Sequence, residues 1–572
     1  MRKYVGLARL LWPVCVAALF ISAQRPPKKP AQTRPRKPPA QKPAPAPPPA
    51  DLLIVNGKVF TSVAGAPFAQ AVAIRGDRIV EVGATAELQK YSGPQTRLID
   101  AAGRVVVPGF NDAHMHPEVP VPGYRLPQGN NPMPDPTFKE IEKLVADAAG
   151  SQPKGTWIFG TIGATVIDDA EATRFALDGV AKDHPVLLRA WTGHGTFFNT
   201  AAMRVLGISE TEPDPVGGFY GRIKKGKSDR TLSGFAHEYA EYRIARKLHD
   251  GLTDQQIQDA FRKNADEALS YGITSLQAMM IDSDADRVAQ ALRGANLPVR
   301  LRLIRFPLID PATWQPAPDA APPTPNTMLS VWGTKWIVDG TPIERLAFFK
   351  EAYADRARWK GQPNFKDSSL GTMLFKALDS KDQLMFHAVG DAAIEQVFSA
   401  MTGAGSPLRW QSRRVRIEHA DGLIGDLPDR AAKLGVIVVQ NPAHLALQRV
   451  FPARLGQARA AIIQPMKSLV SAGIPLAIGS DGPLNTGMNL MFAVTHPDDN
   501  KEALSREEAM RAYTWGSAYA QFADQEKGTL APGMLADVAI LSQDVFTVPP
   551  DALPNTTALT TIVGGKVVYE TK

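Results

Sequence analysis

The sequence predicts an α/β protein built on a (β/α)8 TIM barrel. A small composite β-sandwich from both termini and a long insertion after barrel strand one complete it. Three observations carry this. Eight short apolar runs between residues 105 and 481 are separated by helical patterns, the signature of parallel strands with crossover helices. Strand–turn–strand patterns recur at the two ends, and neither end alone is long enough to bury a good core. Between the first and second barrel runs, residues 117–250 break the alternation with a Pro- and Gly-rich start and apolar runs of their own.

The chain has 572 residues and a formal charge of +7. That charge belongs to the first 50 residues, which hold ten Lys/Arg and no acid. The remainder carries 54 Lys/Arg against 57 Asp/Glu, so it offers no electrostatic case for nucleic acid. Arg2, Lys3 and Arg9 precede an apolar run from Leu10 to Ile21 that exits through Ser22-Ala23, the pattern of a secretory signal over residues 1–23. The expectation is an exported protein, periplasmic or extracellular, or a membrane-anchored one if the segment is not cleaved. Residues 24–50, rich in Pro, Lys and Ala, read as a disordered, extended spacer able to touch an envelope or membrane surface. The single cysteine, Cys15, lies in the leader, so a metal site in the mature chain must use His, carboxylates or a modified Lys.

Residues 51–107 form the first part of the sandwich. Leu52–Val55 and Lys58–Phe60 flank Asn56-Gly57, and Ala71–Ile74 and Arg78–Val82 flank Gly76-Asp77, both read as hairpins. Residues 525–572 supply the second part, through Val538–Leu541 and Thr561–Tyr569. The barrel occupies 108–524. Its first strand is read from the valine run Val105–Val107 into Pro108-Gly109-Phe110-Asn111-Asp112-Ala113-His114-Met115-His116. A helix near 252–270, with Thr253 and Asp254 as cap candidates, leads to strand two at Ile273–Gln277. Strands three to eight follow at 299–304, 333–340, 384–387, 415–419, 435–440 and 475–481.

Active sites of such barrels lie at the C-terminal ends of the strands. There the sequence places His114 and His116 (strand one), His387 (five), His419 (six) and Asp481 (eight), with Lys335 inside strand four. His114 and His116, two residues apart on an extended chain, share one face. Any one of these taken alone is explained as a hydrogen-bonded core or rim residue. Four His, one Lys and one Asp on separate strands are not, and imidazole with carboxylate suits a divalent transition metal. The other six histidines, His184, His194, His237, His249, His444 and His496, fall away from the strand ends.

The motifs PGFNDAHMH (108–116), FHAVGD (386–391), RIEHA (416–420) and GSDGP (479–483), with Lys335 and the closing G-x-L-x-P-G-x-x-A-D (528–537), resemble the amidohydrolase superfamily. The resemblance covers residues 51–572. It is strongest to the amidohydrolase family 3 branch, which includes N-substituted formamide deformylases. That branch carries a long insertion, here with Gly193-His194-Gly195-Thr196-Phe197-Phe198-Asn199, and a K-x-x-x-D-G, here Lys335 to Gly340. The resemblance implies a binuclear centre holding zinc or another divalent ion. His114 and His116 would bind the more buried ion and His387 and His419 the more exposed one. A carboxylated Lys335 would bridge them, and Asp481 would bind metal and shuttle protons. It also implies substrate contacts from His194 and Arg345. One stretch departs from the branch: where D-G-S-L-G-S-R is usual, this chain has Asp339-Gly340-Thr341-Pro342-Ile343-Glu344-Arg345, so formamide specificity does not carry over.

The expected activity is hydrolysis of a C–N bond in a small amide-type molecule. The alternatives are the same scaffold acting in deamination or on a lactone or phosphoester, and, in another class, a non-catalytic envelope binding protein. Absence of G-x-S-x-G and G-x-x-x-x-G-K-[ST] removes serine-hydrolase and P-loop chemistry from consideration.

Overall fold

A computed structural model describes residues 47–571, apart from 130, 132, 224–230, 319, 448–449 and 498–499. The leader and residues 24–46 of the spacer lie outside the described residues. Among the described residues no helix is long and apolar enough to cross a membrane.

Eight parallel strands form one sheet in sequential order and nearly close into a barrel. They are Phe110–Met115, Ile273–Met279, Arg300–Arg305, Leu329–Ile337, Leu384–Ala388, Arg416–His419, Ile437–Gln440 and Leu476–Ile478, called barrel strands one to eight. All positions but Arg305 and the first three of strand four, Leu329–Val331, are buried, because helices cover the outer face and side chains fill the interior. The helix Asp254–Ser270 starts at Thr253, whose side chain and Gln256 form a reciprocal capping box. The register aligns the functional ends: Ile337 pairs with His387, and Ala388 pairs with His419.

The valine run is a buried strand, but not the barrel's. Val105–Pro108 lies in a six-stranded sheet between Lys58–Phe60 and Val538–Leu541, and the chain enters the barrel only at Phe110. The Asn56-Gly57 turn likewise does not close a hairpin. Leu52–Val55 belongs to a four-stranded sheet and Lys58–Phe60 to the six-stranded one, so this turn carries the chain between the two layers. Gly76-Asp77 does close a hairpin, pairing Ala71–Arg75 with Arg78–Gly83. Leu52, Ile54, Val72, Val106, Val538, Ile540 and Ile562 share one core, so the two termini build the sandwich jointly.

The insertion folds as a six-stranded mixed sheet with its own buried cluster, including Phe138, Ile158, Leu177 and Leu188. The two apolar runs that interrupt the barrel pattern are neighbouring parallel strands, Ile158–Ile162 and Val186–Ala190. The insertion ends in Thr231–Glu238 and the helix Tyr239–His249, whose Tyr239 and Tyr242 pack into the barrel core.

Replacing Ile540 by Ala removes a side chain that is 3% exposed from the shared sandwich core. Such truncations cost about 2–5 kcal/mol, and the loss is read as an earlier urea midpoint. A midpoint equal to wild type would mean that the two ends do not share a core.

Candidate metal centre

Strands one and eight meet at the barrel mouth. The Asp481 amide donates to the His114 carbonyl at 2.8 Å, and the Ser480 amide donates to Asp112 Oδ1 at 2.9 Å. Gly479 permits this approach, since a Cβ there would collide with the His114 backbone. Asp112 is fully buried, and burial raises its carboxyl to about 6.

The result is a carboxylate shared by two groups of potential ligands. His114, His116 and Asp481 place ligand atoms within 4.8 Å of one another, and so do His419, His444 and Asp481. Asp481 Oδ1 lies 3.3 Å from His116 Nε2 and 3.6 Å from His114 Nε2; Oδ2 lies 3.3 Å from His444 Nε2. Burial alone would raise the Asp481 pKa, but His114 and the hydrogen bonds from His116 and His444 hold it well below the usual carboxylate range. His387 packs against His419, with ring centroids 4.4 Å apart.

The residues present fit a metal. His387 Nε2 is buried with no hydrogen-bond partner, a costly state that coordination would relieve. Burial also drives His387 and His419 well below the ordinary histidine pKa, keeping neutral imidazoles with free lone pairs. The second nitrogens are held from behind. His114 Nδ1 lies 2.6 Å from Glu418 Oε2, and His419 Nδ1 lies 2.8 Å from Asn441 Oδ1. A carboxylate on one ring nitrogen fixes the tautomer and turns the other toward a metal. Glu418 is itself clamped by Arg416 through bonds of 2.7 and 3.0 Å. Burial opposes its charge, but Arg416 and His114 keep Glu418 ionised, with its pKa far below normal. Burial, aided by Lys335, lowers His114 to about 4.

Each expected site residue can now be located. His114, His116, His387, His419 and Asp481 converge at the mouth. Lys335 is buried among them, its Nζ 3.0 Å from His114 Nε2, and burial lowers it to about 8. His194, carried by the insertion, lies over the centre with its ring 4.7 Å from that of His387. Its Nδ1 is 2.9 Å from Glu238 Oε1. Burial disfavours its charge, yet Glu238 outweighs this and raises His194 to about 9. Glu238 takes a positive φ of 55° to reach this place, and Gly340 leaves room for its carboxylate. Asp339, its neighbour in the K-x-x-x-D-G motif, accepts three backbone N–H bonds from Phe348, Val389 and Gly390.

Arg345 is the exception among these residues. Its guanidinium is engaged by Asp168 and Asp355 and lies outside the main cavity lining, so its geometry is that of an ion-pair residue. Conversely, His444, Glu418 and Glu238 belong to the site although no strand-end rule selects them. For Glu418 a signal existed, the E of RIEHA.

A cavity of about 440 Å³ opens above the cluster. It is lined by His116, Lys335, His387, His419, His444 and Asp481 below, and by Trp191, Ile343 and Phe451 among apolar walls.

A parallel eight-stranded barrel with histidines and a shared carboxylate at its mouth defines a metal-dependent hydrolase. The chain belongs to the amidohydrolase family, whose sequence pattern matches residues 97–569. It is 29% identical over 557 residues to Protein LONG AFTER FAR-RED 3 of Arabidopsis thaliana, spanning 91% of this chain and 92% of that one. It is 26% identical over 555 residues to the N-substituted formamide deformylase of Arthrobacter pascens, spanning 91% and 98%. Its fold resembles that of an uncharacterized metal-dependent hydrolase of Pyrococcus horikoshii, with a TM-score of 0.64 at 19% identity over 87% of this chain and 99% of that one.

Substituting Glu418→Gln keeps the shape but removes the charge behind His114. Affinity for a divalent ion, measured by competition with a chromophoric chelator, should fall about 10–100-fold. Unchanged affinity would show that Glu418 does not orient His114.

Proposed function

We propose that this protein hydrolyses a C–N bond in a small amide-type molecule bound in the cavity above Asp481. The observation that carries this is the single carboxylate shared between two three-residue ligand groups. Zinc is the ion we assign, since an all-N/O set without cysteine accepts it readily. Ions held there would supply Lewis acidity, polarising the carbonyl and bringing the pKa of water towards ~7.

The protein's own groups do the rest. Asp481 takes the proton of the attacking water and returns it to the leaving nitrogen. The Nε2 atoms of His116 and His444, each 3.3 Å from an Asp481 oxygen, would share with it the holding of the ions. His194, fixed on Nδ1 by Glu238, presents its other nitrogen toward the cavity as a donor to the substrate. Trp191, Ile343 and Phe451 exclude water and take up an apolar substituent. The similarity to an N-substituted formamide deformylase supports C–N chemistry, while the altered Thr341–Glu344 stretch argues for a different substituent.

Lys335 is proposed to be carboxylated. It is buried, and among the described residues no carboxylate lies within ion-pair distance of its Nζ. Its neutral amine would add through its nitrogen lone pair to carbon dioxide, forming a carbamate and releasing one proton, and so replace a side chain that is a cationic donor when protonated with an anionic oxygen ligand.

The zinc-loaded protein is assayed on N-benzylformamide, an acyl p-nitroanilide, a lactone and a phosphoester. Amide turnover is expected, with loss of at least a thousandfold in the His114→Ala, His116→Ala double variant and unchanged circular dichroism. Turnover of only the lactone or phosphoester would overturn C–N specificity, and full activity in the variant would overturn the metal centre. For the lysine, protein equilibrated with ¹³C-bicarbonate should give a carbamate carbon resonance that Lys335→Met abolishes; a spectrum identical in both would rule the modification out.

A further inference from the structure

The segment Thr341–Arg345, which departs from the resembling branch at Thr341–Glu344 and keeps its arginine, is a wall with two faces. Thr341, Pro342 and Ile343 line the main cavity. Glu344 and Arg345 line a separate hollow of about 410 Å³ behind it. Both are 7% exposed, and neither lines the main cavity.

Each holds a part of the insertion. The Glu344 carboxylate accepts hydrogen bonds from the hydroxyls of Thr192 and Thr341. The Thr192 hydroxyl in turn accepts from the His194 amide at 3.3 Å. One carboxylate thus ties the barrel loop to the turn carrying Trp191, Thr192 and His194. Arg345 pairs with Asp168 of the insertion and, at 2.8 Å, with Asp355. Arg454 closes the ring, 2.6 Å from Asp168 and 2.7 Å from Asp355. It stands one helical turn from Phe451, which lines the main cavity. Three walls are therefore pinned from behind by charged groups that do not face the cavity. Both arginines are largely buried and each carries two carboxylates, so removing one acid leaves a poorly compensated charge and the walls should shift.

Taking the cavity as the substrate site, as proposed above, we infer that Glu344 and the Arg345–Asp168 pair are positioning residues. They fix how far the Trp191–His194 turn and the Phe451 segment stand from the metal centre, and so set the size of substituent accepted. Arg345 acts on the substrate through these walls rather than by contact.

Two zinc-binding probes separate the walls from the centre. Acetohydroxamate reports the metal grip alone, whereas benzohydroxamate adds a ring that reaches the walls. By calorimetry on the zinc-loaded protein, Glu344→Ala and Asp168→Asn should each weaken benzohydroxamate at least tenfold and leave acetohydroxamate within twofold. Glu344→Gln, which keeps an oxygen for Thr192, should recover most of the loss. Equal weakening of both probes, or of neither, overturns the inference. A metal-free measurement stands beside it: amide hydrogen exchange over residues 190–195 should quicken about tenfold in Glu344→Ala, with residues 384–388 unchanged. Unchanged exchange in the turn also overturns it. Wild-type protein that binds neither hydroxamate but shows the exchange change would count against the metal reading alone.

Discussion

The hydrogen bond from the Asp481 amide to the His114 carbonyl is the interaction on which the rest depends. It joins the first and last strands at the mouth of the barrel. In the same stroke it sets the carboxylate of Asp481 between His116 and His444. Asp481 adopts φ 52° and His419 φ 70°, left-handed conformations that ordinary residues avoid. Strain of this kind costs about 1–3 kcal/mol per residue and persists only where the surroundings enforce it. The enforcement is visible: Gly479 admits the His114 backbone, Asp112 ties both strands, and Asn441 holds the His419 ring.

Behind this mouth, the barrel interior is polar rather than oily. Arg416 spans from Glu418 to Gln277 and the Ala113 carbonyl, and Arg302 reaches Gln277 and Gln383. Buried charges add little net stability, because desolvation offsets most of the attraction. Their value here is directional. Arg416 fixes Glu418, Glu418 fixes the His114 ring, and a ligand held from behind needs no reorganisation when an ion arrives.

What the sequence makes legible follows from the range of the forces involved. The eight barrel runs are readable because burial on both faces imposes continuous apolar stretches. His114, His387, His419 and Asp481 are readable because strand ends face one mouth. The insertion's two apolar runs are readable for the same reason, though not its sheet. Unreadable are residues whose role is set by distant partners. His444 lies in the short 3-10 helix Pro442–Leu447 after strand seven, and only the tertiary fold brings it to Asp481. Glu238 reaches His194 across 44 positions of chain. Arg345 occupies the sequence place of a substrate contact, yet Asp168, from the insertion, engages it instead. The valine run misleads differently: it is a genuine buried strand, and hydropathy does not say which sheet it joins.

The insertion and the metal centre therefore answer to different constraints. Ligand geometry tolerates little variation where a strand end and a hydrogen bond behind the ring fix it together, as Glu418 does for His114 and Asn441 for His419. The wall formed by Thr341–Arg345 is free of that demand. Its side-chain hydrogen bonds go to Thr192 and Asp168 of the insertion, to Asp355 and within the segment itself. Through the Thr192–Glu344 bond, the inferred role of this wall is to position the Trp191–His194 turn rather than a metal ligand. On the reading proposed above, the strand ends hold the chemistry, and the wall lined by Thr341, Pro342 and Ile343 sets which substituent fits over it.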